Sequence, residues 1–211
     1  MRDETPSVLI IDDDSEFRDS VGRLLRTVGL QTLEFSTVSD FLNADQSDGP
    51  TCLVLDVRMP GRSGLELQRD LAAANRQVPI IFITAHADVP MTVQAMKGGA
   101  MEFLTKPFRD QDLIDAVGAG LARDRARRES ERASAALRER FETLSSRERE
   151  IMLHVMAGRL NKQIAHEIGI AESTVKVHRT NLMRKMEARS LPELTRMAEL
   201  LNLRTQRPQS S

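Results

Sequence analysis

The sequence predicts a doubly wound α/β half, built on a five-stranded parallel sheet, joined to an all-α half of four helices containing a helix-turn-helix. Three observations carry this. Over residues 1–122, apolar runs of strand length alternate five times with segments of helical periodicity. The remainder holds helical periodicity only, with two helices separated by a short turn containing glycine. The charge also divides: residues 1–122 carry 11 Lys+Arg against 19 Asp+Glu, and residues 123–211 carry 19 against 12. An acidic half followed by a basic half points to two domains with different partners, the basic one suited to a polyanion.

Taken in order, residues 8–11 form an apolar strand that ends in Asp12-Asp13-Asp14. Ser15 can cap a helix whose Phe17, Val21, Leu24, Leu25 and Val28 keep helical spacing, with Gly29 just past its end. Residues 31–35 are a weaker strand, and Ser36 or Thr37 caps a short helix with Phe41 and Leu42. Asp48-Gly49-Pro50 is a loop. Leu53-Val54-Leu55 then reads as a strand buried on both faces, closed by Asp56 and the turn at Met59-Pro60-Gly61. A helix follows over about residues 64–73. Residues 79–84 are a further buried strand, and Asp88 and Pro90 open a helix that stops at Gly98-Gly99. Residues 101–105 are the fifth strand, before Lys106-Pro107-Phe108. Asp110 starts a helix with Leu113, Ile114, Val117 and Leu121.

Composition bounds the rest. The chain has 211 residues, 40% hydrophobic and 29% charged, with a net charge of −1. It has no apolar run near the roughly 18 residues of a membrane span, and its first residues do not read as a signal peptide. A cytoplasmic protein without membrane association is expected. The one cysteine, Cys52, lies in a predicted buried strand, cannot form an internal disulfide and reads as a small core hydrophobe.

In open parallel sheets, ligands sit outside the carboxyl ends of the strands. Four strands end in Asp12/Asp13, Asp56, Thr84 and Lys106, so these residues belong to one rim. Three carboxylates together raise one another's pKa unless a cation neutralises them. A hard cation with few protein oxygens and several waters suits Mg²⁺, with Mn²⁺ as the substitute. Lys106 supplies a point charge and Thr84 a hydroxyl, both able to hold phosphoryl oxygens. The set describes phosphoryl transfer onto Asp56. Alone, Asp56 could equally cap the next helix.

Residues 6–122 resemble a receiver domain of two-component response regulators. The matching residues are Asp12-Asp13, Asp56 before Met-Pro-Gly, Thr84-Ala85, and Lys106-Pro107-Phe108. The resemblance implies a flavodoxin-like sheet and transfer of a phosphoryl group to Asp56 from a sensor histidine kinase. It also implies metal binding by Asp13, Asp56 and the Arg58 carbonyl, with Asp12 acting through water, and a cis Lys106–Pro107 bond. Phe103 matches the family's switch aromatic; the other reading is an ordinary core phenylalanine.

Residues 122–142 are rich in Arg, Glu and Ala, with no apolar heptads between Leu121 and Leu137. They read as a solvated helix continuing the last α/β helix, or else as a flexible charged tether. Ser145-x-x-Glu148 is a capping box opening a helix with Ile151, Met152, Val155 and Met156 on its apolar face, ended by Gly158. A second helix spans about residues 161–168, burying Ile164, Ala165 and Ile168, and Gly169 ends it. A third spans about residues 172–186. Its buried stripe is Val175, Leu182, Met183 and Met186, with His178 structural at the margin. Its opposite face shows Ser173, Lys176, Val177, Thr180, Asn181 and Arg184, groups that reach phosphates, base edges and a thymine methyl. A fourth helix with Leu191, Leu194, Met197, Ala198 and Leu201 closes the core.

Residues 142–204 resemble the LuxR-type output domain through Leu-Ser-x-Arg-Glu-x-Glu, Gly-x-x-Asn-Lys-x-Ile-Ala and Thr-Val-Lys-Val-His. With the receiver, the chain resembles the FixJ/NarL subfamily. That implies base contacts from Lys176, Val177 and Thr180, dimerisation on phosphorylation, double-stranded DNA as partner and contact with RNA polymerase. Ser173, Thr174, Lys176, Val177, Thr180 and Arg184 are the candidate DNA-binding residues. Two departures stand out: Ala171 where the family usually has a Ser or Thr cap, and Gly98, which makes the fourth α/β helix end in Gly-Gly. The expected domains are a receiver over 1–121, a helical linker over 122–142, a DNA-binding domain over 143–204 and a disordered tail over 205–211. An enzyme with an aspartyl-phosphate intermediate needs a second Asp two residues after Asp56, where Arg58 stands, so no turnover of an external substrate is expected. A DNA-binding protein with a vestigial receiver is the remaining alternative, opposed by the complete acid, Thr and Lys set.

Overall fold

The computed structural model describes residues 5–44, 49–201 and 203; the tail expected over 205–211 and Asp48 of the predicted loop lie outside them. Strands β1 (Ser7–Ile11), β2 (Gln31–Phe35), β3 (Thr51–Asp56), β4 (Ile80–Thr84) and β5 (Glu102–Thr105) pair in parallel in the order β2-β1-β3-β4-β5. The central three strands are buried almost throughout, which is why they read as unbroken apolar runs, while β2 and β5 at the edges are partly exposed. Helices α1 (Ser15–Thr27), α2 (Val38–Asn43), α3 (Gly64–Ala73), α4 (Val89–Lys97) and α5 (Asp110–Glu142) complete the alternation. Ile11, Leu53, Leu55 and Phe82 on one sheet face pack with Phe41, Leu67, Leu71 and Ala95 from α2, α3 and α4. Ile10, Val54, Ile81 and Ile83 on the other pack with Val21, Leu25, Leu113 and Val117 from α1 and α5. Helices on both faces make the sheet doubly wound, as the alternation predicts.

Several local expectations change. The cap of α1 is Asp14, not Ser15: its extended backbone turns the carboxylate onto the Glu16 and Phe17 N–H groups at 3.0 and 3.1 Å. Val28 is not on the buried face but 47% exposed, because it follows the last helical residue. Thr37, rather than Ser36, caps α2, and Ser63 with Glu66 forms a capping box on α3. Cys52 is fully buried, and burial pushes its thiol up to about 12, leaving it inert. A Cβ on Gly120 would lie 2.6 Å from its sulfur, so glycine lets α5 approach β3.

The chain divides into two compact units, Met1–Arg128 and Glu129–Ser211. The start of the segment expected to be solvated is packed instead. Asp124 is 1% exposed and accepts the Thr51 N–H at 2.9 Å, Arg127 Nη2 at 2.6 Å and Arg128 Nε at 2.7 Å. Burial raises the Asp124 carboxyl, but these donors outweigh it and hold it below the ordinary range.

The second unit contains α6 (Ser146–Met156), α7 (Asn161–Ile168), α8 (Glu172–Met186) and α9 (Leu191–Leu200). Its core is its own: Leu137, Leu144, Ile151, Met152, Val155, Ile164, Val175, Leu182, Met186, Leu194 and Ala198. Ile168 is only half-buried, and Leu191, at the start of α9, is 38% exposed. Ala171 occupies the α8 cap with extended backbone and no side-chain bond. Ala171→Ser is therefore expected to raise the stability of this unit by about 0.5–2 kcal/mol, read as a higher melting temperature of the output fragment; an unchanged melt shows that the end of α8 is satisfied elsewhere.

Glu148 does more than cap α6. It is buried, accepts the Ser145 N–H at 2.8 Å, and pairs at 2.7 Å with Lys185 of α8, which also donates to the Thr143 carbonyl. Burial raises the Glu148 carboxyl, yet the Lys185 and Ser145 bonds outweigh it and leave it lowered. A lowered folded pKa means stability present above the unfolded value of about 4.3 and lost as pH falls through the folded one. Glu148→Gln is expected to cost about 1–2 kcal/mol at neutral pH. The difference from wild type should shrink in denaturant melts below the carboxylate range; a constant difference would mean that the charge contributes nothing.

Candidate functional site

Strand register brings the rim together. Ile11 lies opposite Leu55, Asp56 opposite Ile83, and Thr84 opposite Thr105. The residues that follow or end these strands, Asp12, Asp13, Asp56, Thr84 and Lys106, therefore share the carboxyl edge of the sheet. One ligand oxygen from each of Asp12, Asp13 and Asp56 lies within 4.8 Å of the others. Asp12 is 2% exposed, Asp13 is exposed and Asp56 is half-buried, a gradient from core to solvent.

The electrostatics follow from that packing. Burial and the charge of Asp12 push the Asp56 carboxyl up, against the Arg58 N–H at 3.2 Å from Oδ1 and the more distant Lys106 ammonium. A cation among the three carboxylates relieves both effects. The donor set is all oxygen, and part of it faces solvent, which fits a hard divalent ion that keeps several waters. Asp12 is already committed elsewhere: Oδ2 accepts Lys106 Nζ at 2.6 Å and Oδ1 accepts the Asp14 N–H at 2.9 Å.

Lys106 thus sits against Asp12. Its Nζ also lies 3.5 Å from the Phe17 ring centroid, and Phe17 packs edge-on against Phe108 at 6.1 Å. Arg18 Nη1 donates to the Asp12 carbonyl at 2.5 Å. None of these three contacts is legible from spacing, since Phe17 fits the helical core pattern equally well. Thr84 is 1% exposed and its hydroxyl accepts the His86 N–H at 3.3 Å. Phe103 is half-buried beside Phe82, with ring centroids 6.2 Å apart. The Lys106–Pro107 bond is cis.

In the second unit, Ser173, Thr174, Lys176, Val177, Thr180 and Arg184 are all exposed on α8, while Val175, Leu182 and Met186 are fully buried. Val177 is 59% exposed, an apolar side chain with no packing role here. Lys176 is held only loosely, 3.5 Å from Glu172, so its ammonium is available to a partner. Arg179, which the sequence leaves unplaced, donates to Asn161 Oδ1 at 2.6 Å and ties α8 to α7. Gly169, at φ +67°, makes the turn between those helices.

Residues 8–118 match the family described as response regulator receiver domain, and residues 142–198 match bacterial regulatory proteins of the luxR family. Nodulation protein W of Bradyrhizobium diazoefficiens is 53% identical over 196 residues, covering 93% of this chain and 86% of that protein. The transcriptional regulatory protein FixJ of Azorhizobium caulinodans is 44% identical over 197 residues, 93% of each chain. Among solved structures, the response regulator StyR is 47% identical with a TM-score of 0.87, over 92% of this chain and 98% of that one. Full-length FixJ from B. japonicum is 40% identical with a TM-score of 0.56, over 94% and 98%. Among the described residues no helix is long and apolar enough to cross a membrane.

Proposed function

Because the chain belongs to the FixJ/NarL-type two-component response regulators, with a receiver and a LuxR-type DNA-binding domain, we propose that phosphorylation of Asp56 controls its dimerisation and its binding to a two-fold DNA site. The observation that carries this reading is the gathering of Asp12, Asp13 and Asp56 at one edge of the sheet with Lys106 beside them. Asp56 attacks the phosphorus of a phosphohistidine on the sensor kinase. The N–P bond breaks as the O–P bond forms, and the histidine leaves as imidazole. The half-buried Asp56 is positioned for this by the Arg58 N–H on Oδ1.

Asp13, Asp56 and the Arg58 carbonyl would hold Mg²⁺ or Mn²⁺, with Asp12 acting through water because its oxygens already serve Lys106 and Asp14. When bound, the ion neutralises charge on the phosphoryl oxygens. Lys106 and Thr84 hold the remaining oxygens: the Lys106 ammonium keeps Asp12 and turns another N–H to them, and the Thr84 hydroxyl moves off the His86 N–H. Phe103 is the aromatic that responds to that movement. The chain turns over no external substrate; the phosphoryl group stays on its own side chain until hydrolysed.

The work divides into a receiver over 1–121, a linker over 122–142 and a DNA-binding domain over 143–204. On DNA, the outer face of α8 enters the major groove. Dimerisation converts the second half-site contact into an intramolecular one, which raises affinity without new contacts. Transcription is then regulated through RNA polymerase at the same promoter, in the cytoplasm. A footprint tests the whole reading: a paired, two-fold protected site is expected only after treatment with a small phosphodonor and Mg²⁺. Equal protection by untreated protein would show that the receiver does not govern binding.

A further inference from the structure

A cleft opens at the end of the parallel sheet opposite Asp56, and the phosphoryl-transfer chemistry does not use it. Its volume is about 290 Å³, at the small end of ligand pockets. Its walls are the end of α3, the turn from Arg76 into β4, the Gly98-Gly99 end of α4, and the turn of α5 that carries Arg123, Asp124 and Arg127. We propose that this cleft binds a small dianion of the phosphate or dicarboxylate type, held by Arg76 and Arg123.

Charge is the first argument. Among the described residues, Arg76, Arg123 and Arg127 line the cleft with one carboxylate, Asp124, and Arg127 is already bound to that carboxylate. Both oxygens of that carboxylate are already turned to Arg127, Arg128 and the Thr51 N–H. The cleft therefore carries surplus positive charge in a unit whose first 122 residues are acidic. Concentrated cations in a concave, partly apolar wall attract anions more strongly than the same charges spread on a surface.

Preorganisation is the second. Arg127 is fixed through Nε and Nη2 on Asp124 at 3.1 and 2.6 Å, and Arg76 lies 6.0 Å from the centroid of the Phe41 ring. At that distance the ring attracts the guanidinium without stacking on it, and a guanidinium offers several N–H groups that suit carboxylate or phosphate oxygens.

The floor is the third. Gln68 is 4% exposed, and its Nε2 donates to the Ala95 carbonyl at 2.9 Å. A Cβ at position 98 would lie 2.5 Å from Gln68 Oε1, although the φ of Gly98, −73°, suits any residue. A side chain at position 98 would therefore make the Gln68 amide move, while the backbone conformation does not call for glycine. The departure from the family pattern at Gly98 keeps this amide seated at the base of the cleft.

The test uses the full, isotope-labelled chain without divalent metal, titrated with sodium phosphate, sodium malonate and sodium chloride at matched ionic strength. Saturable shifts of the Gly98, Gly99 and Gln77 amide resonances are expected with phosphate, malonate or both, and none with chloride. Phosphate alone would assign a phosphate-type ligand; malonate alone, a dicarboxylate. Combining Arg76→Gln with Arg123→Gln should weaken binding by at least about tenfold, with the remaining spectrum retained, while Arg23→Gln on α1 leaves it unchanged. Asp56→Asn should bind like wild type, so the result is independent of the phosphoacceptor assignment. Equal response to chloride, shifts that do not saturate, or wild-type affinity in the double variant would overturn the proposal.

Discussion

Asp56→Asn is expected to abolish phosphoryl labelling of the chain by a small phosphodonor, whereas wild type gains the mass of one phosphoryl group only when Mg²⁺ is present. The expectation is all-or-none because the amide has no nucleophilic carboxylate oxygen, and the other two carboxylates of the cluster have different duties. Asp12 is buried against Lys106 and the Asp14 N–H, and Asp13 is exposed. Lys106→Ala should still be labelled, but more slowly by roughly 10²–10³, since it loses one cation at the phosphoryl oxygens. It also leaves Asp12 without its partner, so a melting curve must accompany the rate. Intact mass with and without metal reads all three proteins. Labelling that survives in Asp56→Asn would sink the assignment of the phosphoacceptor, and labelling of wild type without metal would remove the role given to the carboxylate cluster.

Lys176→Ala is expected to reduce affinity for a selected operator by about 1–3 kcal/mol and to relax preference at one base position. Lys176 and Val177 lie in the early turns of α8, the part of a recognition helix that meets base edges. Lys176 has only a loose pairing with Glu172, so its loss should not disturb the fold. A phosphate contact would behave differently: all sequences weaken together, and the salt slope falls by about one. Titrating wild type and variant against selected and scrambled sites at several salt concentrations separates the two. Equal losses with a reduced slope would make Lys176 a positioning contact. No change on either DNA would show that this face of α8 does not meet DNA.

The order of residues was enough to specify the fold class, the succession of elements and the membership of the acidic rim. It could do so because those features are written in local periodicity. Unbroken apolar runs mark β1, β3 and β4 as central strands, and in a parallel sheet every strand's carboxyl end falls on one edge. That alone gathers Asp12, Asp56, Thr84 and Lys106. Helical spacing likewise separated Val175, Leu182 and Met186 from the exposed face of α8.

Tertiary structure alone decided how the polar groups pair. Lys106 chose Asp12 and the Phe17 ring, across 94 positions of chain in the case of Asp12. Asp124 left the solvated face expected of it to accept the N–H of Thr51, 73 residues away. Glu148, read only as a cap, also reached Lys185. Periodicity says which way a side chain points, but a partner depends on strand register, helix approach and local desolvation. The Asp14 cap shows the same limit at short range: three consecutive aspartates and a serine can all cap, and the backbone path out of β1 selected one. Gly98 has an ordinary φ and so carries no conformational signal; only the packed structure shows that a side chain there would have to move the Gln68 amide.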